Sequence, residues 1–89
     1  MDNQIKQIRK RDGSIVDFDR NKIIQAVYKA LKAVGRDDMI LAEQIADKTV
    51  KALNNKFHPR SIPAIEEIQD LVEESLIRED LFKAAKSYI

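Results

Sequence analysis

Apolar side chains recur every three or four residues along most of this chain, which predicts several amphipathic helices packed around one core. The first such segment follows Asp19, whose carboxylate can cap the free N–H groups of a first helical turn. It stops at Gly35, a residue typical of the position just after a helix. We therefore expect a helix over residues 20–34. Its apolar stripe is Ile23, Val27, Leu31 and Val34.

Three later segments show the same period. Residues 38–55 follow Asp37 or Asp38, either of which can cap a helix, and residues 63–77 begin with a proline, which suits a first helical turn. Residues 80–89 form a fourth candidate helix. The stretch before the third helix contains both prolines of the chain, so we expect a loop there. The stripe of the second helix is Ala42, Ile45, Ala46, Thr49 and Leu53.

Residues 4–18 predict a β-hairpin rather than a helix. Residues 4–11 and the apolar segment 14–18 are candidate strands, and Asp12-Gly13 between them supplies the positive φ angles that a two-residue turn requires. The expected fold class is therefore α+β, mainly α, in which a small N-terminal hairpin caps a bundle of about four helices.

Length and composition limit what else the chain can be. Its 89 residues, 44% of them hydrophobic, fit one small domain over residues 1–89. Because there is no cysteine, neither a disulfide nor a thiolate metal site can form. No apolar run approaches the roughly 18 residues needed to cross a bilayer, so we expect no membrane contact and a cytoplasmic location.

The net charge of +1 conceals a division of charge along the chain. Up to Arg36 there are nine Lys or Arg residues against four Asp or Glu, and the remainder has seven against eleven. Three early cations, Lys10, Arg11 and Lys22, flank the predicted turn and the first helix start, where helix N–H groups add positive potential. This arrangement predicts a site for the phosphates of a small anionic ligand. A binder of long nucleic acid would more often carry a positive excess over the whole domain.

The residues around these cations resemble a known regulatory domain. They read Lys10-Arg11-Asp12-Gly13, four residues, Phe18-Asp19, two residues and Lys22-Ile23, and they are accompanied by Ile68–Glu73 and a closing Ala84–Ile89. Together these strings resemble the ATP-cone. This is the nucleotide-binding regulatory domain at the N-terminus of ribonucleotide reductase large subunits, and it also occurs in a bacterial transcriptional repressor of reductase genes.

The resemblance implies a domain that binds ATP or dATP as an allosteric effector, with Mg²⁺ brought by the triphosphate. The signal would pass to a catalytic body or to other subunits. The implied phosphate ligands are Lys10, Arg11 and Lys22, with Asp19 near the nucleotide at the helix start. Ile8 and Val16 are implied to line the base or to contribute backbone contacts. Ile65 and Gln69, on the inner face of the third helix, are implied to approach the base or ribose.

Several kinds of chemistry are not expected. The chain lacks the G-x-x-x-x-G-K-[ST] string of phosphate-binding loops, so the nucleotide is predicted to be a signal and not a hydrolysed substrate. Reduction in the resembled family runs through cysteine radicals, which a chain without cysteine cannot form. We therefore expect no enzyme activity, no catalytic residue and no protein metal site. The acidic side chains of the third helix are predicted to form a solvated face: Glu66, Glu67, Asp70, Glu73 and Glu74.

The cations admit other interpretations. Lys6, Arg9, Lys10 and Arg11 could contact the phosphates of nucleic acid, but the hairpin lacks interleaved aromatic residues, which disfavours that partner. A degenerate cone could act as a protein-docking helical module, and the nucleotide-sensing repressor is an alternative parent. Because the chain stops at apolar residues without a helix cap, we expect an N-terminal fragment of a longer protein, most simply a reductase subunit.

Overall fold

The computed structural model describes residues 4–88; Ile89, at the end of the fourth predicted helix, lies outside the described residues. Its elements in chain order are β1 (Gln7–Arg9), β2 (Ile15–Asp17), α1 (Arg20–Ala33), α2 (Met39–Lys56), α3 (Ile65–Arg78) and α4 (Phe82–Tyr88). β1 and β2 pair antiparallel. The structure thus confirms the predicted class, a small N-terminal hairpin followed by four helices.

The hairpin loop contains three residues, Arg11, Asp12 and Gly13, and the prediction of a two-residue turn was wrong. The Gly13 N–H donates to the Lys10 carbonyl at 3.0 Å, and the Lys10 N–H donates to the Ser14 carbonyl at 2.8 Å. Within this loop a positive φ occurs only at Gly13, at 88°. A two-residue turn of the predicted kind needs two such angles, whereas a three-residue loop needs one, which glycine supplies.

Helix α1 begins and ends with the motifs that its sequence predicts. The Asp19 carboxylate accepts from the Asn21 N–H at 2.9 Å, which confirms the N-terminal cap. At the other end Gly35 has a φ of 85°, and its N–H bonds back to the Lys32 carbonyl at 3.0 Å. Val34, placed on the apolar stripe by its spacing, is the C-terminal cap and is 38% exposed.

Helix α3 begins two residues later than predicted, because Pro63 is hydrogen-bonded to strand β1. The Pro63 carbonyl accepts from the Arg9 N–H at 2.9 Å, and Ala64 forms a parallel β-bridge with Arg9. A residue that is extended for this pairing cannot also form a first helical turn. The helix is capped instead by Glu67, whose carboxylate accepts from the Ala64 N–H at 3.0 Å.

The turn between α3 and α4 shortens the fourth helix relative to the predicted range 80–89. Asp80 has a φ of 60°, and its N–H donates to the Ile77 carbonyl at 2.9 Å. The following N–H, of Leu81, reaches back to the Leu76 carbonyl at 2.9 Å. These bonds close α3 with a left-handed residue, a role that Asp tolerates better than most side chains.

The four helices pack as a ring in which α1 and α3 each contact both α2 and α4. The predicted stripe of α2 is confirmed, since all five of its residues are buried. The core also draws on α1, α3 and α4, and its side chains with no exposed surface include Val27, Leu31, Ile45, Leu53 and Leu76. No helix within residues 4–88 is long and apolar enough to cross a membrane.

The hairpin is attached to one end of this ring. Ile5 is 4% exposed, and its N–H donates to the Asn54 side-chain oxygen at 2.9 Å, near the end of α2. Ile8 and Phe18 pack against the helical core. Because consecutive helices joined by short loops run in opposite directions, the starts of α1 and α3 and the ends of α2 and α4 lie at this end.

Candidate functional site

A groove of about 420 Å³ lies where the hairpin meets the first turns of α1 and α3. The alternation of side chains along paired strands explains its floor. Ile8 and Val16 are directly opposite each other in the hairpin register, so both face the helices, and Ile65 from α3 completes the apolar surface. The polar residues that line the groove are Lys10, Arg11, Asp12 and Lys22.

A smaller pocket of about 130 Å³ adjoins the groove and shares its apolar floor. The additional apolar lining comes from Phe18 in the segment after β2, from α1 and α3, and from Tyr88 at the end of α4. Asp19 also lines this pocket. Burial raises the pKa of the Tyr88 phenol, since the ionised form would lose solvation there.

The three predicted phosphate ligands enter the groove from two elements. Arg11 belongs to the hairpin loop, Lys10 immediately precedes it, and Lys22 projects from the first turn of α1. Two N–H groups of that turn are already hydrogen-bonded to Asp19. The Asp19 carboxylate accepts from the Asn21 N–H, and the Lys22 N–H donates to the Asp19 carbonyl at 3.1 Å. The cationic groups that the groove offers to an anion are side chains.

Asp12 is held by the hairpin loop itself. Its carboxylate accepts from the Ser14 hydroxyl at 2.6 Å and from the Ser14 N–H at 2.9 Å. These hydrogen bonds from Ser14, with a smaller contribution from the charge of Lys10, hold the pKa of the Asp12 carboxyl below its ordinary value of 3.8. The side chain therefore stabilises the loop that presents the two cations.

Arg11 connects the hairpin loop with α3. Its guanidinium donates to the Gln69 side-chain oxygen at 3.0 Å, and its Nε lies 3.5 Å from the Glu66 carboxylate. The acidic residues of α3 were predicted to form a solvated face. Two of them also have specific contacts, because Glu66, which stays exposed, pairs with Arg11 and Glu67 caps the helix.

The structure brings all eight residues of the predicted site to one region of the molecule. Six of them line the groove, while Asp19 lies in the adjoining pocket and Gln69 contacts Arg11. The sequence reasoning missed Phe18, Tyr88 and Glu66 as neighbours of this site. Phe18 and Tyr88 stood in the motif strings, so their motif membership could have indicated them, whereas no sequence signal singles out Glu66.

Volume alone does not select this groove. A cleft of about 410 Å³ between α2 and α3 has a mixed lining, in which the cations Lys48, Lys51 and Arg78 lie with Glu74 and Glu79, and Lys48 is paired with Glu79. Opposite charges within one cleft cancel much of its potential toward an anion. The hairpin groove differs because its three cations share the lining with one carboxylate, Asp12, and lie beside an apolar floor. Within residues 4–88, no three His, Asp or Glu side chains are arranged to hold a metal ion.

Comparison with known proteins agrees with this geometry. Residues 6–89 match the family described as the ATP cone domain. The chain belongs to the ATP-cone family. The match covers the hairpin, all four helices and every residue of the groove, and it confirms the predicted class of the domain, a nucleotide-binding regulatory module.

Relatives of this ATP-cone are ribonucleotide reductases of different kinds. It is 44% identical to the vitamin B12-dependent ribonucleoside-diphosphate reductase of Thermoplasma acidophilum over 96% of the chain and 11% of that protein. It is 37% identical to the ribonucleoside-diphosphate reductase subunit alpha of Chlamydia trachomatis over 100% of the chain and 10% of that protein. The anaerobic ribonucleoside-triphosphate reductase of Salmonella typhimurium is 33% identical over 92% of the chain and 11% of that protein. The chain thus spans about a tenth of the length of these relatives.

Proposed function

We propose that this ATP-cone binds ATP or dATP in the hairpin groove and acts as an allosteric effector domain of a ribonucleotide reductase. The observation that carries the proposal is the placement of Lys10, Arg11 and Lys22 beside an apolar floor. A triphosphate needs several cations, and an adenine ring needs an apolar surface, and the groove offers both within one site. The reductase parent is supported by the three relatives, which are all reductases.

Each residue has a role in this proposal. Lys10, Arg11 and Lys22 bind the phosphates, and Ile8, Val16 and Ile65 form the surface against which the base packs. Gln69 supplies a polar group toward the base or ribose, and Asp19 borders the nucleotide from the start of α1. Mg²⁺ enters with the triphosphate, because it prefers phosphate oxygens and water to a site made of protein side chains alone.

The nucleotide acts as a signal by joining two elements. Lys10 and Arg11 belong to the hairpin, whereas Lys22 belongs to α1, so a ligand held by all three fixes the hairpin relative to the bundle. A ligand shifts such an equilibrium by its differential affinity for the two arrangements. The catalytic body of the reductase, or another of its subunits, then meets a different surface. The domain itself performs no catalysis.

Calorimetric titration of the chain with ATP, dATP and GTP in magnesium buffer tests this function. We expect saturable binding that is selective for adenine. ATP and dATP should differ by less than about tenfold, since a single ribose hydroxyl contributes about 1 kcal/mol through one hydrogen bond. Absence of binding by any of the three nucleotides would refute the proposal and favour the docking module.

A pair of variants tests whether Lys10 and Arg11 bind the phosphates of the nucleotide. The double substitution Lys10→Ala and Arg11→Ala should weaken ATP binding by at least about tenfold, because charge-assisted hydrogen bonds contribute about 1.5–3 kcal/mol each. Lys83→Ala is the matched control, since Lys83 is an exposed residue near the start of α4, at the end of the bundle away from the hairpin. Unchanged affinity in the double variant would show that the phosphates bind elsewhere.

A further inference from the structure

Arg11 is the one cation of the groove with two polar partners on α3. Glu66 and Gln69 are three residues apart, so they lie on the same face of that helix. The Gln69 oxygen accepts from the guanidinium at 3.0 Å, and the Glu66 carboxylate lies 3.5 Å from Nε. The cation that the proposed function assigns to phosphate is therefore already bound to an amide and a carboxylate.

The two lysines of the groove differ from Arg11 in this respect. Among residues 4–88, no carboxylate lies within ion-pair distance of Lys10 or Lys22. A phosphate that meets either lysine therefore displaces no carboxylate of this described range. The Glu66 carboxylate lies beside Nε and the Gln69 oxygen accepts from one terminal nitrogen, so a phosphate that binds this edge of the Arg11 guanidinium with two hydrogen bonds replaces both of them.

We propose that Glu66 competes with the nucleotide phosphates for Arg11 and thereby sets the affinity of the groove for ATP. This inference rests on the proposed function. In it Glu66 acts on nucleotide binding through Arg11. The Glu66 and Arg11 side chains are 56% and 70% exposed, so their pair is screened by water and weak enough for a triphosphate to displace. Glu66 therefore lowers the affinity of the groove without blocking it.

Displacement of Arg11 has a second consequence at the same site. The Gln69 oxygen, which accepts from Arg11 in the structure, loses this donor when the guanidinium moves to a phosphate. It is then free to accept from a base or ribose group. Arg11 in this way links the phosphate end of the groove with its base end. The two groups that Arg11 leaves, Glu66 and Gln69, both lie on α3.

The test is calorimetric titration of the Glu66→Gln variant with ATP and with inorganic tripolyphosphate, which carries phosphates without a base. Gln keeps the length of the side chain and removes its charge. We expect affinity for both ligands to rise about two- to fivefold, the range that an exposed ion pair of this kind supports. Glu74→Gln is the matched control, since it removes the same charge from an exposed position on α3, in the cleft that faces α2.

A measurement in a second background separates competition from simple repulsion between Glu66 and the ligand. In an Arg11→Ala background the gain from Glu66→Gln should disappear, because no guanidinium remains to compete for. The ATP affinity of Glu66→Gln divided by that of the unsubstituted chain should also approach one as salt is raised from about 50 mM to about 500 mM, because salt screens the charge of Glu66.

An unchanged ATP affinity in Glu66→Gln would overturn the inference, and so would a gain that persists fully in the Arg11→Ala background. Both of these outcomes leave the proposed function intact, since ATP binding by the unsubstituted chain is measured in the same series. Failure of the unsubstituted chain to bind ATP would instead overturn the proposed function and this inference together.

Discussion

The interface of α2 with α3 and the groove beside the hairpin are built from opposite kinds of contact. In α2, Ile45, Thr49 and Leu53 expose none of their surface. The groove is lined instead by exposed cations over a partly buried floor, and its hydrogen bonds join side chains at the surface. Buried apolar surface is what stabilises a small domain, whereas exposed charges contribute little to stability.

This difference implies that stability and ligand binding depend on separate residues. A side chain of the bundle core should affect the free energy of unfolding and leave the affinity of the folded protein unchanged. A side chain of the groove should do the reverse. Substitutions that affect both quantities would show that the two regions are coupled through the hairpin.

The largest expected effect comes from the core. Leu31 of α1 has no exposed surface, and Leu31→Ala should lower the free energy of unfolding by about 2–5 kcal/mol through lost burial and a cavity. Urea denaturation measures this loss. Leu31→Met, which conserves volume, should cost less than about 1.5 kcal/mol. ATP affinity of the folded fraction should not change; a tenfold loss of affinity in the methionine variant would contradict the separation.

The next effect belongs to the groove. Lys22→Ala should weaken ATP binding by about tenfold or more, through a lost charge-assisted contact. The free energy of unfolding of the Lys22→Ala variant should stay constant or rise by about 0.3–1 kcal/mol. Lys22 lies in the first turn of α1, where a positive charge interacts unfavourably with the helix dipole. Calorimetry and urea denaturation give the two numbers. A variant that is clearly less stable would show that Lys22 supports the fold.

The sequence predicted the bundle well because helix caps and apolar spacing are local signals. Asp19, Asp38 and Gly35 each have the role that their residue type predicts. The errors lie where distant segments meet. The pairing of Pro63 with Arg9 draws the chain before α3 into extended conformation, and no local pattern reveals it. The partners of Arg11 on α3 escaped prediction for the same reason.

A buried hydroxyl pair gives the third test, within the core. The Thr49 hydroxyl donates to the Ile45 carbonyl at 2.9 Å and lies 3.1 Å from the Ser75 hydroxyl oxygen, and both side chains are buried. Thr49→Val should therefore cost about 1–3 kcal/mol, because it leaves the Ser75 hydroxyl without this partner. Adding Ser75→Ala should recover part of that loss in urea denaturation. A further loss of the same size in the double variant would mean that the two hydroxyls act independently.

Two glycines with matching geometry sharpen the comparison further. Gly13 in the hairpin loop and Gly35 after α1 have φ angles of 88° and 85°, and at neither does a heavy atom beyond the adjoining residues lie within 4 Å of the position that a Cβ would occupy. Each substitution by Ala should cost about 1–2 kcal/mol of stability through backbone strain alone. Gly13→Ala should also weaken ATP binding, since it displaces the loop that carries Lys10 and Arg11. Equal affinities in the two variants would show that the loop tolerates such a change.

The smallest expected effect concerns the pH dependence of the hairpin loop. The pKa of Asp12 lies below its ordinary value of 3.8 because Ser14 donates to the charged carboxylate. The unfolded chain therefore binds this proton more readily than the folded one. The contribution of Asp12 to stability is thus fully present well above pH 3.8 and is lost as the pH falls through the lowered pKa of the folded state.

Ser14→Ala tests this contribution directly, because it removes the hydroxyl donor and retains the Ser14 backbone N–H. The pKa of Asp12, followed by NMR titration of its carboxyl carbon, should move up toward 3.8 without reaching it. Amide hydrogen exchange in α2 should stay the same, since the hydrogen bonds involved lie within the loop. An unchanged Asp12 pKa would show that the backbone N–H and the charge of Lys10 suffice to hold the carboxylate. Slower or faster exchange in α2 would show instead that the loop is coupled to the core.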